Sequence, residues 1–297
     1  MKIQPECITC FFRQALDAAS LAGACRAEKE EIIKEFSRYL ADCDFSQPPP
    51  VAGEALYKII EKVTGKKDPF KELKEESNRF ALEVASQIRE KVFSSPQPLR
   101  AAVEAAIAGN IIDYGIKSAW DIEKEKEQLL KANLAPDLLR GTFAFDAFRQ
   151  DVDKAKTVLY LADNAGEIVF DRILVEELIK LGKQVVVAVR EEPIINDALY
   201  EDAETCGLTE IAEVVSSGVS TPGVVMEKTT PEFRRRLEAA NLIISKGQGN
   251  FEALEGKDLG RPLYFLFRIK CEVIAEFTKE ELGAIVLKPQ AERAVLK

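Results

Sequence analysis

Two segments in the second half of the chain carry side chains that could hold a metal ion. Asp163 and Asn164 directly follow an apolar run at 157–162, and Asp197 comes soon after a second run at 184–189. Carboxylate and amide oxygens are hard ligands that suit Mg²⁺ or Mn²⁺, and Co²⁺ or Ni²⁺ should substitute where the protein supplies few ligands. The same residue types also cap helices, so each segment taken alone is equally compatible with a helix N-terminus.

A glycine-containing segment and a later lysine are suited to bind phosphate. The segment Lys246-Gly247-Gln248-Gly249-Asn250 follows the apolar run 241–245. Its glycines would let the backbone approach an oxyanion, and its lysine adds positive charge. Lys270 follows the next run, 263–267, where it could meet a phosphoryl group as a point charge. Alternatively, the glycine-containing segment is a plain turn, and Lys270 is a solvated surface lysine.

Two further pairs of residues could contribute to such a site. Gly166 and Glu167 lie where the chain passes from the first apolar run into a helix, and a helix N-terminus favours phosphate. Glu167, like Asp163, could orient a water molecule or accept its proton. Asn110 and Asp113 are three residues apart near the end of an apolar helix, so they share one helix face. They either reach into a cleft or simply end that helix.

The composition narrows the possible chemistry, because the 297 residues include no histidine. This excludes Ser-His-Asp and Cys-His nucleophile systems and the zinc sites that need histidine. The formal net charge of −9 argues against non-specific binding to nucleic acid. Chemistry near neutral pH must therefore use carboxylates, lysines, a thiol, or water activated by a metal with oxygen ligands.

The six cysteines are too sparse for a disulfide scaffold. Cys7 and Cys10 form the one C-x-x-C pair, without the second pair that a zinc site normally needs, so we interpret them as packing thiols. Metal or redox use is the alternative. The chain start lacks a secretory pattern and no apolar run approaches the roughly 18 residues of a membrane span. We expect a cytoplasmic protein with reduced thiols and no membrane partner.

The elements that must position these residues change character near residue 150. Residues 1–150 follow helical spacing, with a break at the proline segment 46–50 and helices predicted at 51–63, 69–93, 97–114 and 119–132. Residues 151–297 instead alternate short runs rich in Val, Ile and Leu with amphipathic helices. Strands are predicted at 157–162, 184–189, 213–214, 241–245, 263–267 and 284–287, with helices between most of them, one at 193–206. The predicted fold class is α/β: a multihelical N-terminal region, then a doubly wound, mainly parallel sheet whose carboxyl edge collects the polar segments.

The joint pattern resembles a known family. Asp163-Asn164-Ala165-Gly166-Glu167, Asn196-Asp197, the glycine-containing segment and Arg268-Ile269-Lys270-Cys271 are similar to motifs of the metal-dependent damage-control phosphatases, formerly domain of unknown function eighty-nine. Cys7 and Cys10 with Gln14, and Gly109-Asn110 with Asp113, resemble the compact archaeal-type subgroup. The resemblance covers nearly the whole chain.

The resemblance implies a Rossmann-like domain at 151–297 with a divalent cation in the cleft, and a helical region at 1–150. It implies Asp163, Asn164 and Asp197 as metal ligands and Asp163 and Glu167 as catalytic groups. Residues implied to line the substrate pocket are Asn110, Asp113, Lys246, Gly247, Gly249, Asn250 and Lys270. The implied activity is hydrolysis of small phosphorylated metabolites by metal-activated water. Whether Asp163 is only a ligand or also a nucleophile stays open.

Two other functions are compatible with the pattern. An S-adenosylmethionine-dependent methyltransferase also uses a doubly wound sheet, although the first loop here has one glycine and a carboxylate where a glycine-rich turn is expected. A non-catalytic nucleotide or metabolite sensor would need no cation. Release of phosphate that depends on a divalent cation discriminates between the three hypotheses.

Overall fold

The computed structural model describes residues 1–109 and 141–290, so the predicted residues Asn110 and Asp113 lie outside it. The N-terminal helices are α1 (Pro5–Leu21), α2 (Arg26–Ala41), α3 (Pro49–Thr64), α4 (Lys71–Ser94) and α5 (Pro98–Ala108). Proline stands at the first or second position of α1, α3 and α5, where its fixed φ and missing N–H are tolerated. The predicted break is present, since residues 42–48 separate α2 from α3, but α3 begins two residues earlier than predicted, with Pro49 and Pro50 in its first turn and Pro48 before it.

After residue 140, helices and strands alternate as predicted. The elements are α6 (Phe145–Lys154), β1 (Thr157–Leu161), α7 (Glu167–Lys180), β2 (Gln184–Val189), α8 (Tyr200–Thr205), β3 (Glu213–Ser216), α9 (Pro231–Ala239), β4 (Leu242–Lys246), α10 (Gln248–Leu254), β5 (Leu263–Arg268), α11 (Glu272–Thr278) and β6 (Ile285–Pro289). Short 3₁₀ turns cover Leu208–Glu210 and Met226–Lys228.

The sheet has six strands in the order β3-β2-β1-β4-β5-β6. All neighbouring strands are parallel except β5 and β6, which are antiparallel. The direction of strand progression reverses between β1 and β4, and ligands of doubly wound sheets bind outside the carboxyl ends of the strands at such a switch point. The predicted α/β class with a mainly parallel sheet is confirmed.

Both faces of the sheet are buried, which explains why its strands are continuous apolar runs. Tyr160 and Ile244 point to a core shared with α4, α5 and α7, whereas Leu161 and Phe265 point to a core shared with α9, α10 and α11. Helices α1 to α3 form a third cluster around Phe36, which Ile194 joins. Because α5 shares a core with the sheet, the structure does not isolate a helical unit, and the predicted boundary near residue 150 stays a prediction.

One predicted helix was wrong in extent. The segment 193–206 is helical only from Tyr200, and residues 191–199 form a loop. The apolar spacing of Ile194 and Ala198 imitates a helix, but tertiary packing buries the two side chains separately, Ile194 in the α1–α3 cluster and Ala198 in the core shared by the sheet with α4, α5 and α7. Asn196 and Asp197 therefore do not open a helix. The helix predicted at 97–114 is described as far as Ala108, and that at 119–132 lies outside the described residues.

Candidate active site at the carboxyl edge of the sheet

The loops after β1 and β2 are joined by backbone hydrogen bonds. The Ala165 N–H donates to Asn196 O at 2.9 Å, and the Ala198 N–H donates to Asp163 O at 2.7 Å. Asn164 and Asp197 form an isolated antiparallel bridge between these segments. Asp163 and Asp197, which are 34 positions apart in the sequence, are thereby held in neighbouring segments, as expected for residues that follow adjacent parallel strands.

Backbone strain marks the loop that carries Asp197. Ile195 has a φ of 48°, in the left-handed region that a β-branched residue rarely adopts. The side chain of Ile195 packs against the α1–α3 cluster, and its neighbour Ile194 is 2% exposed within that cluster. Such strain persists only where surrounding contacts over-determine the conformation. The helical region thus holds the loop in the shape that places Asp197.

The three predicted metal ligands lie together and are buried. Asn164 Nδ2 donates to Asp163 Oδ2 at 2.8 Å and to Glu167 Oε2 at 3.2 Å. Arg190 Nε donates to Asp197 Oδ2 at 2.7 Å, and Arg190 Nη2 lies 3.9 Å from Asp163 Oδ1. Arg190 has no assigned role in the sequence analysis, yet it links the two aspartates.

The electrostatics of the two aspartates favour an additional cation. Burial raises the pKa of Asp163 well above its usual range, and the nearby charges of Asp197 and Glu167 raise it further. Burial also raises the pKa of Asp197, although Arg190 opposes the shift. A divalent ion would compensate this clustered negative charge, and two carboxylates with an amide oxygen are the donor chemistry that Mg²⁺ and Mn²⁺ accept.

The protein's own contribution to such a site is limited. Within residues 1–109 and 141–290, no three Cys, Asp or Glu side chains form a metal-binding group. The predicted set contains two carboxylates and one amide, so the remaining ligands would be water or substrate oxygens, which is ordinary for Mg²⁺. The residues present fit an ion of this type.

Glu167 belongs to a second, fully buried network centred on Lys246. Lys246 Nζ donates to Glu167 Oε1, to Asp171 Oδ1 at 2.6 Å and to Ala106 O at 2.8 Å. Burial raises the pKa of Asp171 to about 6, although the Lys246 ammonium opposes this shift. Burial alone would lower the pKa of Lys246, but the two carboxylates outweigh burial and raise it. Lys246, predicted to line the substrate pocket, has all three donors engaged by protein oxygens.

The glycine-containing segment lies directly against Asp163. Gly247 has a φ of 82°, and a Cβ atom at this position would overlap the Asp163 carboxylate. A Cβ atom at Gly249 would overlap the carbonyl oxygen of Pro222. These glycines were expected to let the backbone approach a bound oxyanion, but the close contacts here are within the protein, with the Asp163 carboxylate at Gly247 and with Pro222 at Gly249. Phosphate binding by this segment stays a prediction.

Asn250 is fully buried, and its side chain makes only contacts that fix loops. Its Nδ2 donates to Lys246 O at 2.7 Å and to Ala162 O at 3.1 Å. Its Oδ1 accepts from Arg190 Nη2 at 3.2 Å and from the Val224 N–H at 2.8 Å. These bonds join the ends of β1 and β4 to Arg190, so Asn250 supports the position of the site.

The N-terminus of α7 is fixed by α4, a helix that the sequence analysis did not connect with the site. Gly166 N–H donates to Asn78 Oδ1 at 2.6 Å, and Asn78 Nδ2 donates to Asp202 Oδ1 at 2.7 Å. Gly166 packs against Ser77, whose Cβ would be 3.0 Å from a Cβ on the glycine. No sequence spacing links residue 78 to residue 166, because tertiary packing alone brings them together.

Further lysines add positive charge near Asp197. Lys270 is exposed at the end of β5, and its N–H donates to Gln248 Oε1 at 3.0 Å. Lys74, from α4, is 2% exposed and lies 2.8 Å from Asp68 in an ion pair. The charges of both lysines lower the pKa of Asp197 against the effect of burial. The sequence offers no signal for Lys74, because its burial and its ion pair with Asp68 arise from tertiary packing.

The cysteines of the C-x-x-C pair lie in α1. Cys7 is half-buried and Cys10 is exposed, where it accepts a hydrogen bond from Gln14 Nε2 at 3.4 Å. Burial raises the pKa of the Cys7 thiol, which makes it a poorer nucleophile. Their interpretation as packing thiols stays a prediction.

In the described part of the chain, no helix combines the length and apolar character needed to cross a membrane.

Comparison with known proteins gives one consistent family. The model of the damage-control phosphatase ARMT1-like domain matches residues 3–286. An uncharacterized protein of Methanocaldococcus jannaschii is 37% identical over 97% of this chain and 95% of its own length. A damage-control phosphatase of Pyrococcus horikoshii is 34% identical over 96% of this chain and 97% of its own length.

A solved structure agrees with this assignment. The crystal structure of a DUF89 family protein from Pyrococcus horikoshii superimposes with a TM-score of 0.86 at 33% identity, covering 98% of this chain and 100% of that chain. The family match extends over both the helical region and the sheet, and therefore over the loops that bring Asp163 and Asp197 together. The chain belongs to the damage-control phosphatase ARMT1-like family.

Proposed function

We propose that this protein is a metal-dependent phosphatase that hydrolyses small phosphorylated metabolites. The observation that carries the proposal is the joining of the loops after β1 and β2, which places Asp163, Asn164 and Asp197 together at the switch point of the sheet. Phosphoryl transfer needs charge stabilisation more than covalent chemistry, and this position offers oxygen ligands beside positive charges.

Asp163, Asn164 and Asp197 would hold the cation, with Mg²⁺ or Mn²⁺ preferred and Co²⁺ or Ni²⁺ able to substitute. When bound, the cation supplies Lewis-acid stabilisation of phosphoryl charge and lowers the pKa of the attacking water. Arg190 holds Asp197 by a hydrogen bond and keeps its carboxylate oriented.

The other side chains have separate roles in the proposal. Glu167 orients the attacking water or accepts its proton, and Lys246 fixes the Glu167 carboxylate from the other side. Lys270 attracts the phosphate as an exposed point charge. The N-terminus of α7, set in place by Asn78, adds favourable partial charge to an anion.

The test is phosphate release by metal-stripped protein from a panel of phosphomonoesters, with and without added Mn²⁺ or Mg²⁺. Wild-type protein should be inert until the cation is added. Asp163→Ala should cost several kcal/mol of transition-state stabilisation, because the cation would be lost or misplaced. Lys270→Ala should cost less, since one charge contact is lost while the cation stays.

Full cation-dependent activity in Asp163→Ala would refute the site assignment. Binding of S-adenosylmethionine without phosphate release would favour the methyltransferase, and ligand binding without turnover would favour the sensor. Asp258→Ala, at an exposed position in the turn before β5, is the matched control and should retain wild-type activity.

A further inference from the structure

Tyr57 in α3 carries a buried hydroxyl that is left without a partner. The residue is 9% exposed, and among the described residues no atom forms a hydrogen bond with its hydroxyl oxygen. Burial of an unpaired hydroxyl opposes folding, and native proteins rarely leave such a group unsatisfied. A phenylalanine would fill the same apolar surroundings without this cost, so the hydroxyl requires another explanation.

Helix α3 lies beside the loops of the candidate site. Tyr57 shares a hydrophobic cluster with Ile194, three residues before Asp197. One turn earlier, Gly53 packs against Pro222, with a Cβ at the glycine only 3.0 Å from Pro222 Cγ. Pro222 in turn contacts Gly249 of the glycine-containing segment. Helix α3 also contacts α10, which follows β4. It therefore packs against segments that follow strands on both sides of the switch point between β1 and β4.

Three acidic groups act electrostatically on the Tyr57 hydroxyl, namely Asp197, Asp17 and Cys10, and Asp197 has the largest effect of the three. Burial raises the pKa of this hydroxyl, and the Asp197 carboxylate raises it further. A tyrosine hydroxyl, whose ordinary pKa is about 10, already keeps its proton at neutral pH, and these effects do not change that, so it is available as a donor. No described atom takes this hydrogen bond, which leaves the donor for an acceptor on a bound water molecule or ligand.

We propose that the Tyr57 hydroxyl donates a hydrogen bond to a phosphoryl oxygen of the bound substrate and so positions the phosphate beside Asp197. This inference rests on the proposed function, because it takes the ligand at Asp197 to be a phosphate. It assigns to the helical region a direct contact with substrate, in addition to the residues that follow the strands.

The test uses inorganic phosphate as the probe and measures its binding to Mn²⁺-loaded protein by isothermal titration calorimetry. Tyr57→Phe should weaken phosphate binding by about tenfold or more, as expected for the loss of a hydrogen bond to a charged group. Mn²⁺ affinity, measured on the same variant without phosphate, should be unchanged. The melting temperature of the metal-free variant should equal or exceed that of wild type, since no internal hydrogen bond is removed.

Tyr39→Phe is the matched control. Tyr39 belongs to the same cluster, but its hydroxyl faces Cys43 Sγ at 3.8 Å. This variant should bind phosphate and Mn²⁺ as wild type does.

Wild-type phosphate affinity in Tyr57→Phe would overturn the inference. An equal loss of Mn²⁺ and phosphate affinity would overturn it too, because Tyr57 would then act on Asp197 alone. A lower melting temperature for Tyr57→Phe would also contradict it, because the hydroxyl would then have a structural partner. Failure of the proposed function has a different signature, namely no phosphate release by the wild-type protein from any ester.

Discussion

Gly247 occupies a position where any side chain would displace the carboxylate of Asp163. The φ of Gly247, 82°, is similar to that of other glycines in this protein, but the overlap of a Cβ atom with the Asp163 carboxylate occurs only at Gly247 among the described glycines. The two effects can be separated, because Gly256 has a φ of 78° and no atom lies within 4 Å of where its Cβ would be.

We therefore expect Gly247→Ala to lose most Mn²⁺ affinity and phosphatase activity, whereas Gly256→Ala should keep both. The two variants share the cost of a left-handed backbone, about 1 kcal/mol, so a thermal denaturation comparison removes that contribution. Equal activity in the two variants would show that the glycine loop does not constrain Asp163.

Lys246 is expected to contribute to stability as well as to the site. Its replacement by Met would leave the buried Glu167 and Asp171 carboxylates without their cation. We predict that Lys246→Met lowers the free energy of unfolding by about 3–5 kcal/mol in urea denaturation of metal-free protein. Lys257→Met, which breaks an exposed pair with Glu227, should cost less than about 1 kcal/mol. A Lys246→Met protein as stable as wild type would exclude this role.

At the level of single residues, the sequence predicted the candidate site residues that follow strands but not those that approach the site from helices. Asp163 and Asp197 were predicted to meet because carboxyl ends of parallel strands share one edge. Lys74, Asn78 and Tyr57 are on helices far earlier in the chain, and only tertiary packing brings them near. Lys246 was recognised as important, but spacing could not show that protein carboxylates take its donors.

Among the elements, α10 contains an acid whose ionisation opposes folding. Burial raises the pKa of Glu252 to about 7 from 4.5, although a hydrogen bond from Gln248 opposes the shift. The folded protein thus binds this proton more tightly than the unfolded chain does. Its contribution to stability is present at low pH and is lost as pH rises from about 4.5 to 7.

Urea denaturation of wild type and Glu252→Gln across this pH range tests the prediction. The stability of the wild-type protein relative to the variant should decline between about pH 4.5 and pH 7 and then level off. Glu238→Gln, an exposed change in α9, should retain the wild-type dependence. A constant difference between wild type and Glu252→Gln would contradict the predicted shift.

The C-x-x-C pair belongs to α1. If Cys7 and Cys10 are packing thiols, replacing both by Ser should leave cation-dependent hydrolysis within severalfold. Metal analysis of the purified proteins provides the second measurement. Tightly bound zinc in wild type that disappears in the double variant would show that the thiols hold a metal.

The strands were predicted accurately because burial on both faces produces continuous apolar runs. The extent of the helix at 193–206 was predicted wrongly. The apolar residues of the loop 191–199 are buried by different parts of the protein, and their spacing is helical by coincidence. At α3 the helix was instead predicted too short. Pro49 and Pro50 were assigned to the extended break before it, but they form its first turn, where proline is tolerated.

For the whole molecule, cation binding should be coupled to folding stability. A cation that binds only the folded state at a hundredfold excess over its Kd adds about 2.7 kcal/mol. We expect Mn²⁺ to raise the melting temperature of wild type and to have little effect on Asp197→Asn. Asp258→Asn changes an exposed aspartate in the turn before β5, outside the predicted ligand set, and should keep the Mn²⁺ response. A full response in Asp197→Asn would remove Asp197 from that set.

The strained backbone of Ile195 has a consequence for how this protein tolerates change over evolution or in engineering. The shape of the Asp197 loop depends on apolar packing against α1 to α3. Helices α1 to α3 are therefore not an exchangeable module that could be replaced while the sheet and its loops are retained. Substitutions inside the cluster formed by these helices should shift Asp197, and with it the Mn²⁺ affinity of the site, without changing any predicted ligand.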